Sequence, residues 1–201
     1  MPYEVTGRSY IKASANGSRI IARESCRVAG KAIFDSGLHP LWFAAHTRSR
    51  HEKTVAEQLC RRQIEAFLPL YLTIRRWKNG DHPVELPLFP GYTFVRIAVE
   101  DRIQVLKIPG VVRLVGFNGA PAPIEEQEVE SLRRALSAGI TASPYPYLTA
   151  GRRARITAGP LAGREGILVR RKGALRVVLS VALIERSILV DVAADSLEPA
   201  R

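Results

Sequence analysis

The chain contains few residues of the kinds that build metal centres or covalent cross-links. It has two cysteines and four histidines among 201 residues, with neither a Cys-x-x-Cys pair nor a His-Glu-x-x-His motif. The cysteines, Cys26 and Cys60, are far apart in the sequence and have no cluster of histidines nearby. Zinc sites and disulfide scaffolds depend on such spacings. The sequence therefore predicts no metal site and two free thiols.

Long apolar runs are also absent. No stretch approaches the roughly 18 consecutive apolar residues that a membrane span requires. The first residues contain no continuous apolar segment of the kind found in a secretion signal. We therefore expect no membrane partner and a cytoplasmic location.

Motifs for catalysis are missing as well. There is no Gly-x-Ser-x-Gly elbow, and the glycine-rich segment 159–166 lacks the Lys-Ser/Thr pair of a phosphate loop. Glu125, Glu126 and Glu128 could supply paired carboxylates, but acidic residues at the start of a helix more often interact with the helix dipole. The sequence predicts a protein that is not an enzyme and uses no cofactor.

Positive charge is what the sequence has in excess. Thirty Lys and Arg residues against nineteen Asp and Glu give a formal net charge of +11, which favours polyanionic partners such as nucleic acids. Apolar residues make up 46% of the chain, enough to bury a core. Shifts in composition predict four segments, which are a basic disordered tail (1–40), a folded domain (41–138), a linker (139–151) and a second domain (152–201).

Residues 41–138 alternate between strand and helix patterns. The predicted order is strand, helix, hairpin, short helix, strand and helix, which is typical of a ferredoxin-like α/β sandwich. Apolar residues recur at helical spacing over about 51–64, which predicts the first helix. Ser49 and Glu52 precede it with the spacing of a capping box.

Residues 152–201 consist of short β-branched runs separated by glycine turns, the pattern of a small antiparallel barrel. The segment 175–183 fits a helical stripe as well as a strand. Because valine, isoleucine and glycine dominate this part of the chain, we predict strands throughout. The predicted fold class is therefore α+β, with an α/β sandwich joined by a linker to a small C-terminal β-barrel.

The stretch PLFPGYTFVRI, residues 87–97, combines the alternation of a strand with residues that interrupt strands. Its two prolines restrict it to a sheet edge or a bulge, and Gly91 lets the backbone bend. The bend can turn Phe89 and Tyr92 toward one surface, as in a protein-binding hot spot. Equally, both rings can belong to the core, and the pattern leaves these alternatives open.

Basic residues cluster at three predicted turns. The clusters are Arg48, Arg50 and Lys53 after the first strand, Arg75, Arg76 and Lys78 at the hairpin tip, and Arg170–Lys172 in the C-terminal domain. Trp77 lies within the second cluster, and a tryptophan among cations suits phosphate contact together with base stacking. Each cluster can also be a solvated surface.

Several segments together resemble the N-terminal domain of NusG-type transcription elongation factors. They are WFAAHTRSRHEKTVAEQL, LPLYLTIRRW, LFPGYTFVRI, IPGVVRLVGFNGAPAPI and the acidic final helix of the first domain. The segment GRRARITAGPLAGREGILV resembles a KOW motif, which forms the second domain of that family. The resemblance covers about 41–199 in order, and it implies a ferredoxin-like domain linked to an SH3-like KOW barrel.

This resemblance implies a function. Family members act as factors that bind bacterial RNA polymerase at the clamp helices of its largest subunit and favour processive elongation, and we expect this chain to act in the same way as a monomer. The matching positions are Phe89, Pro90 and Tyr92, with Trp42 in the sheet beneath them, and Arg102 and Ile103 where the family reaches across the polymerase cleft.

The first strand, its following corner and the hairpin resemble RfaH-like specialised paralogues more closely than the housekeeping factor. Such paralogues act on long operons and use the equivalent surface to contact the non-template DNA strand. The resemblance therefore implies DNA contact for five basic residues, which are Arg48, Arg61, Arg75, Arg76 and Lys78.

KOW domains of this family bind the termination factor Rho or a small-subunit ribosomal protein. The positions that match such a contact are Leu161, Arg164 and Ile184. This chain departs from the family pattern in having Arg164 where a large apolar residue is usual and Glu185 in place of a turn glycine. RfaH is known for a C-terminal domain that can fold as a helical hairpin, whereas we predict a barrel here.

An alternative function remains on the sequence alone. Residues 139–201 carry ten basic and five acidic side chains, which would also suit an RNA-binding or ribosome-associated KOW protein. In that case Arg170–Lys172 would carry the binding energy, whereas a polymerase-bound elongation or antitermination factor would depend on Tyr92.

Overall fold

The structure, a computed structural model, describes residues 39–78, 80–146, 151–171 and 174–200. Nearly all of the predicted basic tail, and Asn79 of the predicted hairpin turn, lie outside the described residues.

The secondary structure of the first half begins at Leu41. Its elements are β1 (Leu41–Thr47), α1 (Glu52–Arg61), β2 (Glu65–Phe67), β3 (Leu70–Trp77), β4 (Gly80–Pro87), β5 (Tyr92–Ile97), α2 (Arg102–Leu106), β6 (Val111–Leu114), β7 (Gly116–Phe117), β8 (Ala120–Pro121) and α3 (Glu126–Ser137). A single 3-10 turn, Val99–Asp101, precedes α2. The predicted order of strands and helices is confirmed.

Four of these strands form one antiparallel sheet in the order β2-β5-β1-β6. The side chains of β1 alternate between the two faces of the sheet. Those of Trp42 to Ala45 are buried on both faces. Phe43 and Ala45 pack in the same cluster as Val55 of α1, whereas Trp42 packs with Leu132 of α3. The sheet therefore has α1 on one face and α3 on the other, and the predicted α/β sandwich is confirmed.

The hairpin β3–β4 lies outside this sheet and forms a separate two-stranded unit. The sequence predicts one strand across FLPLYLTIRRW, but the strand is interrupted at Leu68 and Pro69, between β2 and β3. Pro69 has no N–H to donate, which suits it to the point where one strand ends and the next begins. Pairing runs from Leu70 opposite Pro87 to Trp77 opposite Gly80, so the predicted hairpin is present.

The second half is made of strands. They are β9 (Ala142–Tyr145), β10 (Arg153–Ile156), β11 (Glu165–Arg171), β12 (Ala174–Val181), β13 (Arg186–Asp191) and β14 (Leu197–Pro199). They form one antiparallel sheet in the order β14-β10-β11-β12-β13-β9, and 3-10 turns lie at Ala182–Ile184 and Ala194–Ser196. The predicted small C-terminal β domain is confirmed.

The segment with two competing periodicities is a strand. β12 pairs with β11 on one side and β13 on the other, and Val177 and Val178 are both fully buried. Hydrogen bonding to two neighbours satisfies the backbone of the segment without a helix. Glu185, at the position where the family has a turn glycine, adopts a left-handed backbone with φ 48°, a conformation that costs a non-glycine residue energy.

Part of the predicted linker is a strand. β9 lies within the segment 139–151 and pairs with β13 from Ala142 opposite Val190 to Tyr145 opposite Ser187. The four residues therefore extend the C-terminal sheet directly after α3.

The two halves share one apolar core. A single cluster of buried side chains includes Trp42, Phe94 and Leu136 from the first half and Val177 and Ile188 from the second. The C-terminal domain therefore packs on the face of the first sheet that carries α3.

One thiol differs from the prediction. Cys60, at the end of α1, is disulfide-bonded, so the expectation of a free thiol is wrong there. Cys26 lies outside the described residues.

Candidate functional site

The awkward stretch at residues 87–97 contains a tight turn between β4 and β5. The Tyr92 N–H donates to the Phe89 carbonyl oxygen with a nitrogen–oxygen distance of 3.1 Å, and Gly91 has φ 84°. Proline at the second position and a positive φ at the third are the signature of a type II turn. The turn therefore requires the Pro90-Gly91 pair, which explains why residues that break a strand occur here.

Residues from β1 and α1 hold Gly91 on both sides. Its N–H donates to Oε1 of Glu52 at 2.8 Å, and its carbonyl oxygen accepts from the Thr47 N–H at 2.8 Å. The predicted capping box is wrong, since the N-cap of α1 is His51 and it makes no side-chain capping bond. The Glu52 carboxylate contacts the turn instead of the start of its own helix.

The turn sends its aromatic rings in different directions. Phe89 is 1% exposed and packs edge-on against Phe94, with ring centroids 5.6 Å apart. Tyr92 is half-buried and tilts against His46 at 5.3 Å, while Pro90 is exposed. Phe89 thus belongs to the core, and Pro90 and Tyr92 remain near the surface.

The C-terminal domain reaches this surface. The guanidinium of Arg186, in β13, lies 5.7 Å from the Tyr92 ring centroid, a cation–π arrangement. A second contact joins Arg164 to Glu128 of α3, with Nη2 and Oε1 3.4 Å apart. The two domains are therefore in contact through one cation–π pair and one ion pair.

Burial changes the chemistry of Glu128. Desolvation raises the pKa of its carboxyl above the ordinary value of 4.5, and the guanidinium of Arg164 acts in the opposite direction. A carboxyl with a raised pKa is easier to protonate in the folded state than in the unfolded chain. The contact between the domains therefore includes a group that responds to acid.

Of the positions matched to a KOW partner, two are buried and one contacts the first domain. Leu161 and Ile184 are almost fully buried and belong to the cluster shared by the two domains, and Arg164 is ion-paired with Glu128. In this arrangement both apolar side chains are covered.

Trp42 is buried in β1, where Arg133 of α3 stacks on it. The Arg133 Cζ lies 5.0 Å from the Trp42 ring centroid and 5.1 Å from that of Phe67. Arg133 also forms ion pairs with Glu65 at 3.2 Å and Glu130 at 2.7 Å. Trp42 therefore supports the sheet and has no exposed surface.

Arg102 and Ile103 lie together at the start of α2. Both are exposed, and Ile103 is 53% exposed although it is apolar. The Arg102 guanidinium donates to the carbonyl oxygen of Val99. Leu106, also exposed, follows Ile103 by three residues and therefore lies on the same side of the helix.

The basic residues of the hairpin tip are exposed at the end of β3 and in the turn that follows it. Arg75 and Arg76 are exposed opposite His82 and Asp81, and Lys78 is exposed beyond the last strand pair. Trp77 is 60% exposed and tilts against His82, with ring centroids 5.4 Å apart. An exposed indole among these cations is the arrangement expected for base stacking.

The other two basic positions lie at opposite ends of α1. Arg48 is exposed directly after β1, and Arg61, at the last residue of the helix, is paired with Glu57 at 2.6 Å. A ten-residue helix is about 15 Å long, so these arginines do not form a single cluster. Lys53 is close to the hairpin, with its Nζ 3.6 Å from a Glu85 oxygen.

Within residues 39–78, 80–146, 151–171 and 174–200 there is no group of three or more His, Cys, Asp or Glu side chains placed to hold a metal ion. No helix in this described part of the chain is long and apolar enough to cross a membrane.

Sequence reasoning missed the roles of three residues that shape this surface, which are Glu52, Arg133 and Arg186. Glu52 and Arg133 are charged but almost fully buried, and each occurs at a position where the local pattern reads as a helix end or a polar helix face. Their partners are distant in sequence, so no local signal identifies them. The sequence signal next to Arg186 is Glu185, which stands in place of a turn glycine. In the structure Glu185 has a left-handed backbone.

Comparisons with known proteins agree on one family. The NusG family model, described as transcription termination factor nusG, matches residues 40–133. The transcription termination/antitermination protein NusG of Deinococcus radiodurans is 29% identical over 156 residues, which cover 63% of this chain and 81% of that protein. The protein of the same name from Helicobacter pylori is 25% identical over 133 residues, or 60% of this chain and 76% of the relative.

A solved structure described as "Domain interaction in Thermotoga maritima NusG" has the same fold. Its TM-score is 0.52 at 19% sequence identity, and the match covers 81% of this chain and 98% of that one. The family match over residues 40–133 and the named relatives support a NusG-type factor, and the NusG family consists of transcription factors that are not enzymes. The Thermotoga maritima structure supports the fold, an N-terminal domain followed by a C-terminal β domain.

Proposed function

We propose that this protein binds RNA polymerase through the surface formed by Pro90 and Tyr92 and promotes processive transcription. The observation that carries the proposal is the hydrogen-bonded turn, which presents an exposed proline beside a partly exposed tyrosine. Aromatic side chains held on a fixed backbone are typical anchors of protein interfaces, because little entropy is lost when a partner covers them. The clamp helices of the largest polymerase subunit are the proposed partner.

The buried residues of the predicted set contribute indirectly. Phe89 fixes one end of the turn in the core, and Trp42 supports the sheet under it. Arg102 and Ile103, exposed together on α2, form the proposed second contact on the other side of the polymerase cleft.

The C-terminal domain covers the proposed contact. Arg186 lies over Tyr92, and the apolar cluster continues from the sheet into the C-terminal domain. Polymerase binding then requires the two domains to separate, and separation would also expose Leu161 and Ile184 for a partner such as Rho or a ribosomal protein. A domain interaction is likewise named in the description of the Thermotoga maritima structure.

We further propose that the hairpin contacts the non-template DNA strand and that the protein serves particular operons. Arg75, Arg76 and Lys78 are exposed neighbours of the exposed Trp77 along the chain at the tip. Together they supply phosphate contacts and a surface for stacking a base, both of which tolerate many sequences. Arg48 extends the charge at the corner after β1.

The alternative, an RNA-binding protein that works through its C-terminal domain, has less support. Arg155 is paired with Glu165 at 2.6 Å and Arg176 with Asp191 at 2.6 Å. Together with the pair between Arg164 and Glu128, these contacts neutralise three of the domain's arginines. Fewer cations are then left for phosphate groups.

The test is binding of the full chain to RNA polymerase in an elongation complex. We expect Tyr92→Ala to weaken binding by on the order of 1 to 3 kcal/mol, as for an aromatic anchor. Phe117→Ala is the matched control, because Phe117 is an exposed aromatic residue of the same domain, 69% exposed and outside the turn. Equal effects of the two substitutions would contradict the proposed contact.

A second variant tests the covering by the C-terminal domain. Arg164→Glu places two carboxylates opposite each other at the contact with Glu128, and the repulsion should open the domains. We expect this variant to bind polymerase more tightly than the native chain. Failure of both chains to bind an elongation complex would show that the proposed function is wrong.

A further inference from the structure

We propose that Glu52 is a positioning residue that selects the conformation of the turn at Phe89–Tyr92. The inference rests on the proposed function for the use of the turn, but the conformation of the turn can be measured independently. Glu52 lies at the first residue of α1, 39 residues before Gly91.

The unusual observation is a buried carboxylate that serves a backbone N–H. Glu52 is 5% exposed, and its Oε1 accepts from the Gly91 N–H at 2.8 Å. Burying a charged group is costly unless hydrogen bonds offset the loss of water. Hydrogen bonds to an ionised acceptor are among the stronger ones in proteins. The hydrogen bond to Gly91 therefore offsets part of the cost of burying the Glu52 carboxylate. It also gives the Gly91 N–H an acceptor inside the protein.

The direction of that N–H distinguishes the two common turn types. Types I and II differ by a flip of the peptide between the second and third residues, here Pro90 and Gly91. The flip would turn the Gly91 N–H to the opposite side of the turn. An acceptor at Glu52 therefore favours type II, in which Gly91 has the positive φ of 84° that the structure shows.

Tyr92 follows Gly91 directly, so the backbone of the turn determines where the tyrosine leaves it. The Gly91 carbonyl oxygen is held by the Thr47 N–H at 2.8 Å, and the Tyr92 ring packs on His46. Thr47 and His46 fix the exit from the turn, and Glu52 fixes the central peptide. Without Glu52, the turn would lose the contact that prevents the flip.

The experiment compares the full-length native protein with Glu52→Ala, Glu52→Gln and the control Glu57→Ala. Glutamine keeps an acceptor oxygen at nearly the same place, whereas alanine removes it. Glu57 is on the exposed face of the same helix and pairs with Arg61. The readouts are the proton chemical shift and hydrogen exchange of the Gly91 amide by NMR, thermal unfolding, and affinity for polymerase in an elongation complex.

We expect Glu52→Ala to accelerate exchange of the Gly91 amide and to weaken polymerase binding about tenfold, the scale of one charge-assisted hydrogen bond. Glu52→Gln should keep the protection of Gly91 and most of the affinity, with an upfield shift of the amide proton because the acceptor is neutral. If Glu52 acted only through its negative charge, Glu52→Gln would lose the protection of Gly91 and the affinity as Glu52→Ala does. Glu57→Ala should leave the proton shift and exchange of the Gly91 amide unchanged.

Unchanged Gly91 exchange in a folded Glu52→Ala protein would overturn the proposal, and so would lost protection with full polymerase affinity. If the alanine variant does not fold, Glu52→Gln decides, since an unaltered Gly91 proton shift would show that the carboxylate is not its acceptor. A native chain that fails to bind polymerase contradicts the proposed function, while the Gly91 readouts still determine what Glu52 does.

Discussion

Arg164 of the C-terminal domain and Glu128 of α3 form an ion pair between the two domains, with Nη2 and Oε1 3.4 Å apart. Both side chains are about three-quarters buried. Because the pair joins residues 36 positions apart across the interface, its strength depends on the two domains remaining in contact.

The buried Glu128 carboxyl should make stability depend on pH. Burial raises the pKa of the Glu128 carboxyl above 4.5, so the folded protein binds its proton more readily than the unfolded chain does. Its contribution to the free energy of unfolding is therefore fully present below pH 4.5 and is lost as pH rises through the raised pKa. Chemical denaturation at several pH values should show native stability falling relative to Glu128→Gln as pH rises. A difference between the two proteins that does not change with pH would contradict this assignment.

Arg133 should be important for stability. It is 4% exposed, stacks on Trp42 and Phe67, and pairs with Glu65 and Glu130. Arg133→Ala removes a buried cation that pairs with both carboxylates, while Glu65 keeps a second partner in Arg96 at 3.7 Å. The free energy of unfolding should fall by about 3 kcal/mol, the lower part of the range for breaking a buried ion pair. The neighbouring Arg134→Ala is the control, because Arg134 is exposed and should change stability by about 0.5 kcal/mol or less. Similar losses for both arginines would refute the packing described for α3.

Alanine substitutions at two glycines distinguish the effect of backbone strain on stability from the effect of packing. Gly110 and Gly119 both have a positive φ, of 100° and 79°. A Cβ at Gly110 would lie 3.0 Å from Val55 and 3.1 Å from His51, whereas nothing lies within 4 Å of a Cβ at Gly119. Gly110→Ala should therefore be more destabilising than Gly119→Ala by about 1 to 3 kcal/mol, the range of overpacking in a core. Equal unfolding midpoints would show that α1 is not packed against this loop.

The two tryptophans should report separately on the core and on the hairpin. Trp42 is 1% exposed and Trp77 is 60% exposed. Single-stranded DNA should quench the fluorescence of the native protein, and Trp77→Ala should remove the quenching and weaken binding by about 1 to 3 kcal/mol per stacked base. Phe117→Ala provides the control, since this ring is exposed outside the hairpin. Quenching that persists in Trp77→Ala would place the DNA elsewhere.

Much of the fold could be predicted because local patterns carry it. Alternation of apolar residues in β1 and helical spacing in α1 and α3 are properties of short segments, and the structure has strands and helices there. The segment 175–183 could not be decided in this way, since two periods fit it. Its backbone pairs with β11 and β13 on both sides, and those partners settle it as a strand.

The candidate surface was only partly visible in the sequence. Pro90 and Gly91 predicted an interruption of the strand. The pattern left open whether Phe89 and Tyr92 belong to the core or to the surface. The structure divides them, with Phe89 buried and Tyr92 half-buried under Arg186. Whether a ring is covered depends on what packs against it. Phe89 packs on Phe94 of the same domain, whereas Arg186 over Tyr92 comes from the other domain.

The sequence by itself determined the order of strands and helices, the excess of positive charge, and the interruption of the strand at Pro90 and Gly91. These depend on backbone sterics and on side-chain periodicity within a few residues. Only the tertiary structure decided that Glu52 binds the turn instead of capping its helix, that Arg133 is buried against Trp42, and that the C-terminal domain covers Tyr92. Each of these contacts joins residues distant along the chain, and their energies come from burial and hydrogen bonding that exist only once the chain has folded.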